Sequence, residues 1–249
     1  MNIYVLTGQS NSLGCTADPA ESGTAPVASD IDAQIPFWWG NVGLSGNSAG
    51  EITTLQVQQS TSAENPIFWG PEFNFARKMF EAGQRNFMII KVSRDGGGNG
   101  HWSKSGEGLT YQPKMYEAII KEVTEATTAL AARGDTFKIV GLMYLQGESD
   151  SPAEANASAA RLETLIVNLR KDLPNASDMR AVIGGICAGN DTRDLVRKQQ
   201  SELAATDPTI DYFDTTDLRP LLYDGLHFNR EAKMIVGARY AEAFLAGSK

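Results

Sequence analysis

The sequence predicts an α/β fold: a five-stranded parallel sheet covered by helices on both faces, giving three layers. Two observations predict it. Five short apolar runs rich in β-branched or aromatic residues lie at 3–7, 87–93, 137–145, 181–186 and 210–213. Their composition suits strands buried on both faces. Longer stretches of helical periodicity separate them, and alternation of this kind produces parallel strands joined by right-handed crossovers. No internal repeat or linker divides the chain, so residues 1–249 are read as one domain.

Each helix has its own signals. "PEFNFARKMFEAG" opens on Pro71, a first-turn residue, and stops at Gly83. In "PKMYEAIIKEVTEATTALAARG", Met115, Ile119, Val123 and Ala126 recur at helical spacing and Gly134 closes the run. Ser151-Pro152 starts a helix carrying Leu162, Leu165, Ile166 and Leu169, and "NREAKMIVGARYAEAFLAG" is the last. Residues 15–65 break the rhythm. They are rich in Gly, Ser, Ala and Asn, too long for an ordinary connection, and contain "FWWGNVG". Trp38 and Trp39 either pack on the body or form an aromatic wall beside a substrate.

Composition narrows the function. The chain has 249 residues, 42% of them hydrophobic, and a formal charge of −8. An acidic protein without a Lys/Arg cluster is a poor match for nucleic acid or an anionic membrane. No apolar run approaches the roughly 20 residues that span a bilayer. Cys15 and Cys187 form no CxxC or metal pattern and are read as reduced thiols. The start of the chain lacks a basic lead-in. The expected compartment is cytoplasmic if Met1 is the native start, and secreted or periplasmic if a signal peptide has been removed.

Four short motifs carry chemistry. "VLTGQSNSLG" ends the first apolar run in a polar cluster containing Ser10. A side chain there lies at the carboxyl end of a parallel sheet, where open α/β folds bind ligands. The competing reading is turn and helix-cap chemistry. Three glycines, Gly96 to Gly98, follow the second strand, where glycine lets a backbone approach a ligand closely. "LQGESD" sets Gln146, Glu148 and Asp150 at the end of the third strand. In "YDGLHF", His227 follows Asp224 by three residues, a spacing that shares one face of a helical turn. A carboxylate can then hold the imidazole, as in a Ser-His-Asp triad; the alternative is a turn Asp and a capping His.

These blocks, "GQSN", "GGG" with a following Trp, "QGESD" and "DGLHF", resemble in order those of the SGNH hydrolase superfamily. The resemblance is to its carbohydrate acetylesterase branch, with sialate O-acetylesterase-like proteins and family six acetylxylan esterases, and spans almost the whole chain. "FWGPEFNFARKM" is similar to a Gly-Pro-Glu stretch of that branch. The resemblance implies a flavodoxin-like SGNH fold and a serine esterase removing O-acetyl groups from a small-molecule or glycan substrate. It implies Ser10 as nucleophile, His227 as general base and acid, and Asp224 as the residue orienting the imidazole. It also implies an oxyanion hole of the Ser10 amide, one glycine amide from Gly96 to Gly98 (Gly97 favoured), and the Gln146 side chain. Asn11 and Glu148 are expected to brace the site, and His101 to contact substrate or sit in an exposed loop. The scheme calls for no cofactor and no metal, although Glu148 and Asp150 could bind a cation. An SGNH thioesterase or lysophospholipase, or a carbohydrate-binding protein without turnover, are the alternatives. The absence of a long apolar lid disfavours a lipase, and the absence of G-x-S-x-G an α/β-hydrolase.

Overall fold

A computed structural model describes residues 1–15, 24–43, 46–61, 63, 66–105, 114–187 and 189–247. In chain order the regular elements begin with β1 (Asn2–Gly8), α1 (Ser10–Leu13), β2 (Pro36–Trp39) and β3 (Thr53–Thr54). Next come β4 (Gln58–Gln59), β5 (Ile67–Phe68), α2 (Glu72–Glu81), β6 (Phe87–Ser93) and α3 (Met115–Ala132). The remainder are β7 (Lys138–Leu145), α4 (Pro152–Asn156), α5 (Ser158–Asp172), β8 (Arg180–Gly184), α6 (Asp191–Thr206), β9 (Ile210–Phe213) and α7 (Arg230–Ala246).

All five predicted strands are present, as β1, β6, β7, β8 and β9, and they pair in parallel. The sheet is wider than predicted. Among the described residues its order is β3-β2-β6-β1-β7-β8-β9, seven strands, with β2 parallel to β6 and the short β3 antiparallel at the edge. The extra strand β2 is "PFWW", four residues embedded in a Gly- and Ser-rich stretch, too brief to stand out as a strand. Its tryptophans pack on the body. Trp38 is buried and donates Nε1–H to Glu122 at 2.8 Å, and Trp39 stacks on Phe37, so the aromatic-wall reading falls.

Alternate residues of β1 feed opposite layers, as strand geometry requires. Ile3 and Val5 face one core with Ile90, Val123 and Leu165. Tyr4 and Leu6 face the other with Phe75, Ile89 and Val236. Both cores are apolar on both sides of the sheet, and each fully buried side chain of this size contributes roughly 1.5–3 kcal/mol.

Two helical readings change. The stretch after Ser151 is two helices, α4 and α5, broken at Ala157, whose φ of −99° and ψ of 2° leave the helical region. Ser151 caps α4 in a reciprocal capping box with Glu154. Helix α6 was not anticipated: only Val196, Gln200 and Leu203 are buried along it, too thin an apolar stripe to mark a helix.

The topology positions the site. Strand β1 is flanked by β6 on one side and β7 on the other, and the strand order reverses there. Such a reversal opens a crevice at the carboxyl ends of the strands. The loops after β1, β6 and β7, which hold Ser10, Gly96 to Gly98 and Gln146, are therefore neighbours.

Candidate active site

The nucleophile turn is built into the sheet. At Gly8 (φ +151°) a Cβ would lie 1.9 Å from the Leu145 carbonyl oxygen, so a bare backbone is required. Gln9 then stitches the tip of β1 to the tip of β7. Its amide nitrogen donates to Leu145 O, its Oε1 accepts from the Gly147 and Ser149 amides, and its Nε2 donates to Ser149 Oγ at 2.7 Å. Ser10 opens the single-turn helix α1, which Gly14 closes in the left-handed region. The residue at the N-cap is Gln9 and makes no side-chain cap. The Ser10 hydroxyl is therefore not spent on capping.

Two buried ammonium groups hold the far end of this turn. Lys91 Nζ donates to Leu13 O at 2.9 Å, and Lys233 Nζ donates to Gly14 O at 3.1 Å. Cations there complement the negative end of the turn. Lys91 also bonds Gln58 Oε1 and Glu72 Oε1, each at 2.8 Å, and its pair with Glu72 is fully excluded from solvent.

The loop before α7 brings the histidine back to this turn. Asp224 Oδ1 accepts from the amides of Leu226 (3.0 Å) and His227 (2.7 Å), and its Oδ2 contacts His227 Nδ1 at 2.7 Å. One carboxylate thus shapes the loop with one oxygen and holds the ring with the other. The helical turn expected for this pair is absent, because Gly225 at φ +77° breaks it. A Leu222–Phe228 bridge and the bond from Tyr223 N to His227 O (3.0 Å) close the loop. His227 Nε2 lies 3.0 Å from Ser10 Oγ. Burial alone would raise the Asp224 carboxyl, but the His227 amide, the His227 ring and the Leu226 amide hold it below the ordinary carboxylate range.

Asn11 ties the two segments together. Its Nδ2 donates to Glu148 Oε1 (2.7 Å) and Leu226 O (3.1 Å), and its Oδ1 accepts from the Phe228 amide (2.9 Å). Glu148 Oε2 is buried without a hydrogen-bond partner among the described residues. Burial raises the Glu148 carboxyl, against the opposing bond from Asn11.

The β6 and β7 ends meet through Asp150. Its Oδ1 accepts from Gln146 Nε2 (2.7 Å) and from the Asn99 amide (2.8 Å), and its Oδ2 accepts from Asn99 Nδ2 (2.8 Å). Tyr144 donates to Gln146 Oε1 at 2.8 Å, so both ends of the Gln146 amide are engaged. Burial pushes the Asp150 carboxyl up to about 7, against the bonds from Gln146 and Asn99. Among the three glycines, Gly97 (φ +89°) sits against His101: a Cβ there would lie 2.8 Å from the ring. His101 is buried, not exposed as a loop histidine, and its Nδ1 lies 2.6 Å from Arg94 Nη1.

Sequence reasoning overlooked the Gln9 stitch, the two lysines and the Asn99–Asp150 junction. A lysine inside the apolar run "MIIKVS" was a signal for Lys91; nothing comparable marked the others. Cys15 and Cys187 are free, and burial pushes their thiols up to about 12 and about 11. Among the described residues no cluster of His, Cys, Asp or Glu has the makings of a metal site, and no helix is long and apolar enough to cross a membrane.

Known proteins share the fold of this chain. A probable carbohydrate esterase of Arabidopsis thaliana, At4g34215, is 31% identical over 134 residues, a stretch of 53% of this chain and 48% of that protein. The chain thus matches about half the length of that curated relative. The solved structure of the Arabidopsis protein superposes over 98% of both chains with TM-score 0.75 and 23% identity. A carbohydrate acetylesterase from Xanthomonas citri, XAC1771, matches 97% of this chain and 55% of its own with TM-score 0.64 and 18% identity. NanS matches 98% of this chain and 96% of its own with TM-score 0.57 and 15% identity. These likenesses show the fold, which this chain shares with those proteins. The family model described as carbohydrate esterase, sialic acid-specific acetylesterase, matches residues 1–246, and the chain belongs to that family.

Proposed function

We propose that this protein is a serine esterase that removes O-acetyl groups from a carbohydrate through an acyl-serine intermediate. The observation that carries the reading is the unbroken chain from Ser10 Oγ to His227 Nε2 (3.0 Å) and from His227 Nδ1 to Asp224 Oδ2 (2.7 Å), at the reversal point of the sheet. Membership of a carbohydrate esterase family supports the substrate class.

Ser10 Oγ attacks the acetyl carbonyl carbon as its proton passes to His227 Nε2. Asp224 accepts from Nδ1–H, which leaves the Nε2 lone pair facing the serine and stabilises the imidazolium that forms. The tetrahedral intermediate puts negative charge on the former carbonyl oxygen. Its donors are the Ser10 amide, the Gly97 amide and the second Nε2–H of Gln146. The bond to the sugar oxygen then breaks, and that oxygen takes the proton from His227. Water attacks the acetyl-serine, gives its proton to His227, and acetate leaves as Ser10 regains its hydrogen. Preorganised donors matter here: removing one costs roughly 3 kcal/mol of barrier, about 10²–10³ in rate.

The test is acetate release across a panel of acetylated sugars, with Ser10→Ala as control. Release by the wild type and none by a folded Ser10→Ala supports the proposal; equal release by both refutes it. Nitrophenyl acetate against nitrophenyl octanoate tests the acyl size, and a preference for octanoate favours the lysophospholipase-type alternative.

A further inference from the structure

We propose that Asp150 is the positioning residue that orients the Gln146 amide and couples it to the glycine loop, so that two oxyanion donors are set by one carboxylate. The inference rests on the oxyanion hole proposed above.

A side-chain amide has a donor end and an acceptor end of nearly the same shape, and only its neighbours decide which faces where. Around Gln146 they decide asymmetrically. Tyr144 OH sits 2.8 Å from one end and can donate or accept, so it tolerates either orientation. Asp150 Oδ1 sits 2.7 Å from the other end, and the two Asp150 oxygens also accept from the Asn99 amide and Nδ2. At an assay pH of about 8.5, where the carboxyl is ionised, it can only accept. A carbonyl oxygen turned toward it would place two acceptors in contact in a buried site, where Gln146 is fully excluded from solvent. The nitrogen is therefore held on the Asp150 side, with one hydrogen on the carboxylate; the second hydrogen is the one that the proposed oxyanion hole assigns to the substrate. In the reversed orientation the same position would carry an oxygen, which repels an oxyanion.

The same carboxylate reaches the other donor segment. Oδ1 takes the Asn99 amide at 2.8 Å and Oδ2 takes Asn99 Nδ2 at 2.8 Å, one residue beyond Gly98. Asn99 is itself fixed by Glu154 O (2.7 Å) and Arg161 Nη1 (2.5 Å). The loop after β6 cannot shift without disturbing the atom that holds Gln146. Charge-assisted bonds of this kind are stronger than neutral ones, which suits a part whose duty is orientation.

A double-mutant cycle tests this with Asp150→Asn, Gln146→Ala and the pair, read as kcat and KM on an aryl acetate. Asn at 150 keeps the shape but can present a donor, so Gln146 loses its lock. The expected result is a kcat lower by about 10- to 100-fold for Asp150→Asn with KM nearly unchanged. The same substitution in the Gln146→Ala background should cost less than about 3-fold. Affinity for a boronic acid that forms a tetrahedral serine adduct should fall in parallel with kcat. If Asp150→Asn does not fold, Asp150→Glu, which keeps the charge but moves it, is read in the same way. Equal losses in both backgrounds, or a kcat unaffected by Asp150→Asn, overturn the proposal while Ser10→Ala stays inactive. Full activity in Gln146→Ala instead removes the oxyanion role of Gln146, and the proposal with it. Full activity in Ser10→Ala removes the esterase reading as a whole.

Discussion

The two halves of the candidate triad are held in opposite ways. The Ser10 turn is part of the core: Asn11, Ser12 and Leu13 are fully buried, Ser10 is 6% exposed, the end of β7 holds the start of the turn through Gln9, and Lys91 and Lys233 hold its far end. The Asp224–His227 loop lies at the surface, with the two side chains 32% and 19% exposed, and much of its shape comes from its own carboxylate. The contrast assigns different duties. A nucleophile needs one fixed line of approach, which a packed sheet supplies. A proton carrier needs access to solvent and a fixed tautomer, which a small loop tied to one aspartate supplies. Damage to the residues that support the serine turn should therefore show as lost stability, and damage to the Asp224–His227 loop as lost chemistry.

Beside Ser10→Ala, the largest effects fall on the exposed half and concern activity alone. His227→Ala is expected to reduce ester turnover by about 10⁴-fold or more. Asp224→Asn retains an oxygen for the Leu226 and His227 amides but favours the wrong imidazole tautomer, with a comparable loss of about 10⁴. Both should melt within a few degrees of the wild type; a thermal scan beside a progress curve checks this. A collapse in melting temperature for Asp224→Asn would mean that the loop is as much part of the core as the serine turn.

Next comes the buried half. Lys91→Met strips a fully buried partner from Glu72, and breaking such a pair costs about 3–5 kcal/mol. Adding Glu72→Gln should return much of that loss, because no charge then stays unpaired. Denaturant melts of the three proteins decide it. Equal stability of Lys91→Met and wild type would show that the cradle under α1 contributes little.

The smallest effect is a pH dependence of stability. Burial lifts Asp150 from 3.8 to about 7, with Gln146 and Asn99 opposing and Glu154 and Glu148 adding to the rise. Glu148 is raised too. A carboxyl raised on folding binds more protons in the native state than in the unfolded one between those values. Its contribution is therefore full at acid pH and is lost as pH rises through about 4 to 7. Asp224, lowered on folding, acts in the opposite direction, its contribution lost toward acid. The melting temperature of the wild type should drop between pH 5 and about 7 relative to Asp150→Asn, in which that carboxyl is gone. Parallel curves would place the Asp150 titration outside the range.

The same contrast explains what could be read from the chain. The sheet was legible because β1, β6, β7 and β8 bury most of both faces and are therefore largely apolar, and β9 at the edge keeps enough of that pattern to be seen. The site was legible where chemistry needs a particular atom: a hydroxyl at the tip of β1, an imidazole three residues from a carboxylate. Local backbone was less so. The Asp224–His227 spacing fits a helical turn as well as a loop shaped by side-chain bonds, and only Gly225 in context separates them. Supporting residues were hardest. Lys91 and Lys233 act on carbonyls 78 and 219 residues away, and Asp150 on Asn99 across 51, distances at which no local pattern points to a partner. Strand β2 and helix α6 were missed for the related reason that their burial comes from neighbours.

The most direct measurement is the identity of the acylated residue. Rapid acid quench of the enzyme turning over an aryl acetate, followed by peptide mass mapping, should find an acetyl group on Ser10. The adduct should be absent from Ser10→Ala. An acetyl group on any other side chain, or turnover with no adduct in a folded Ser10→Ala, would contradict the account.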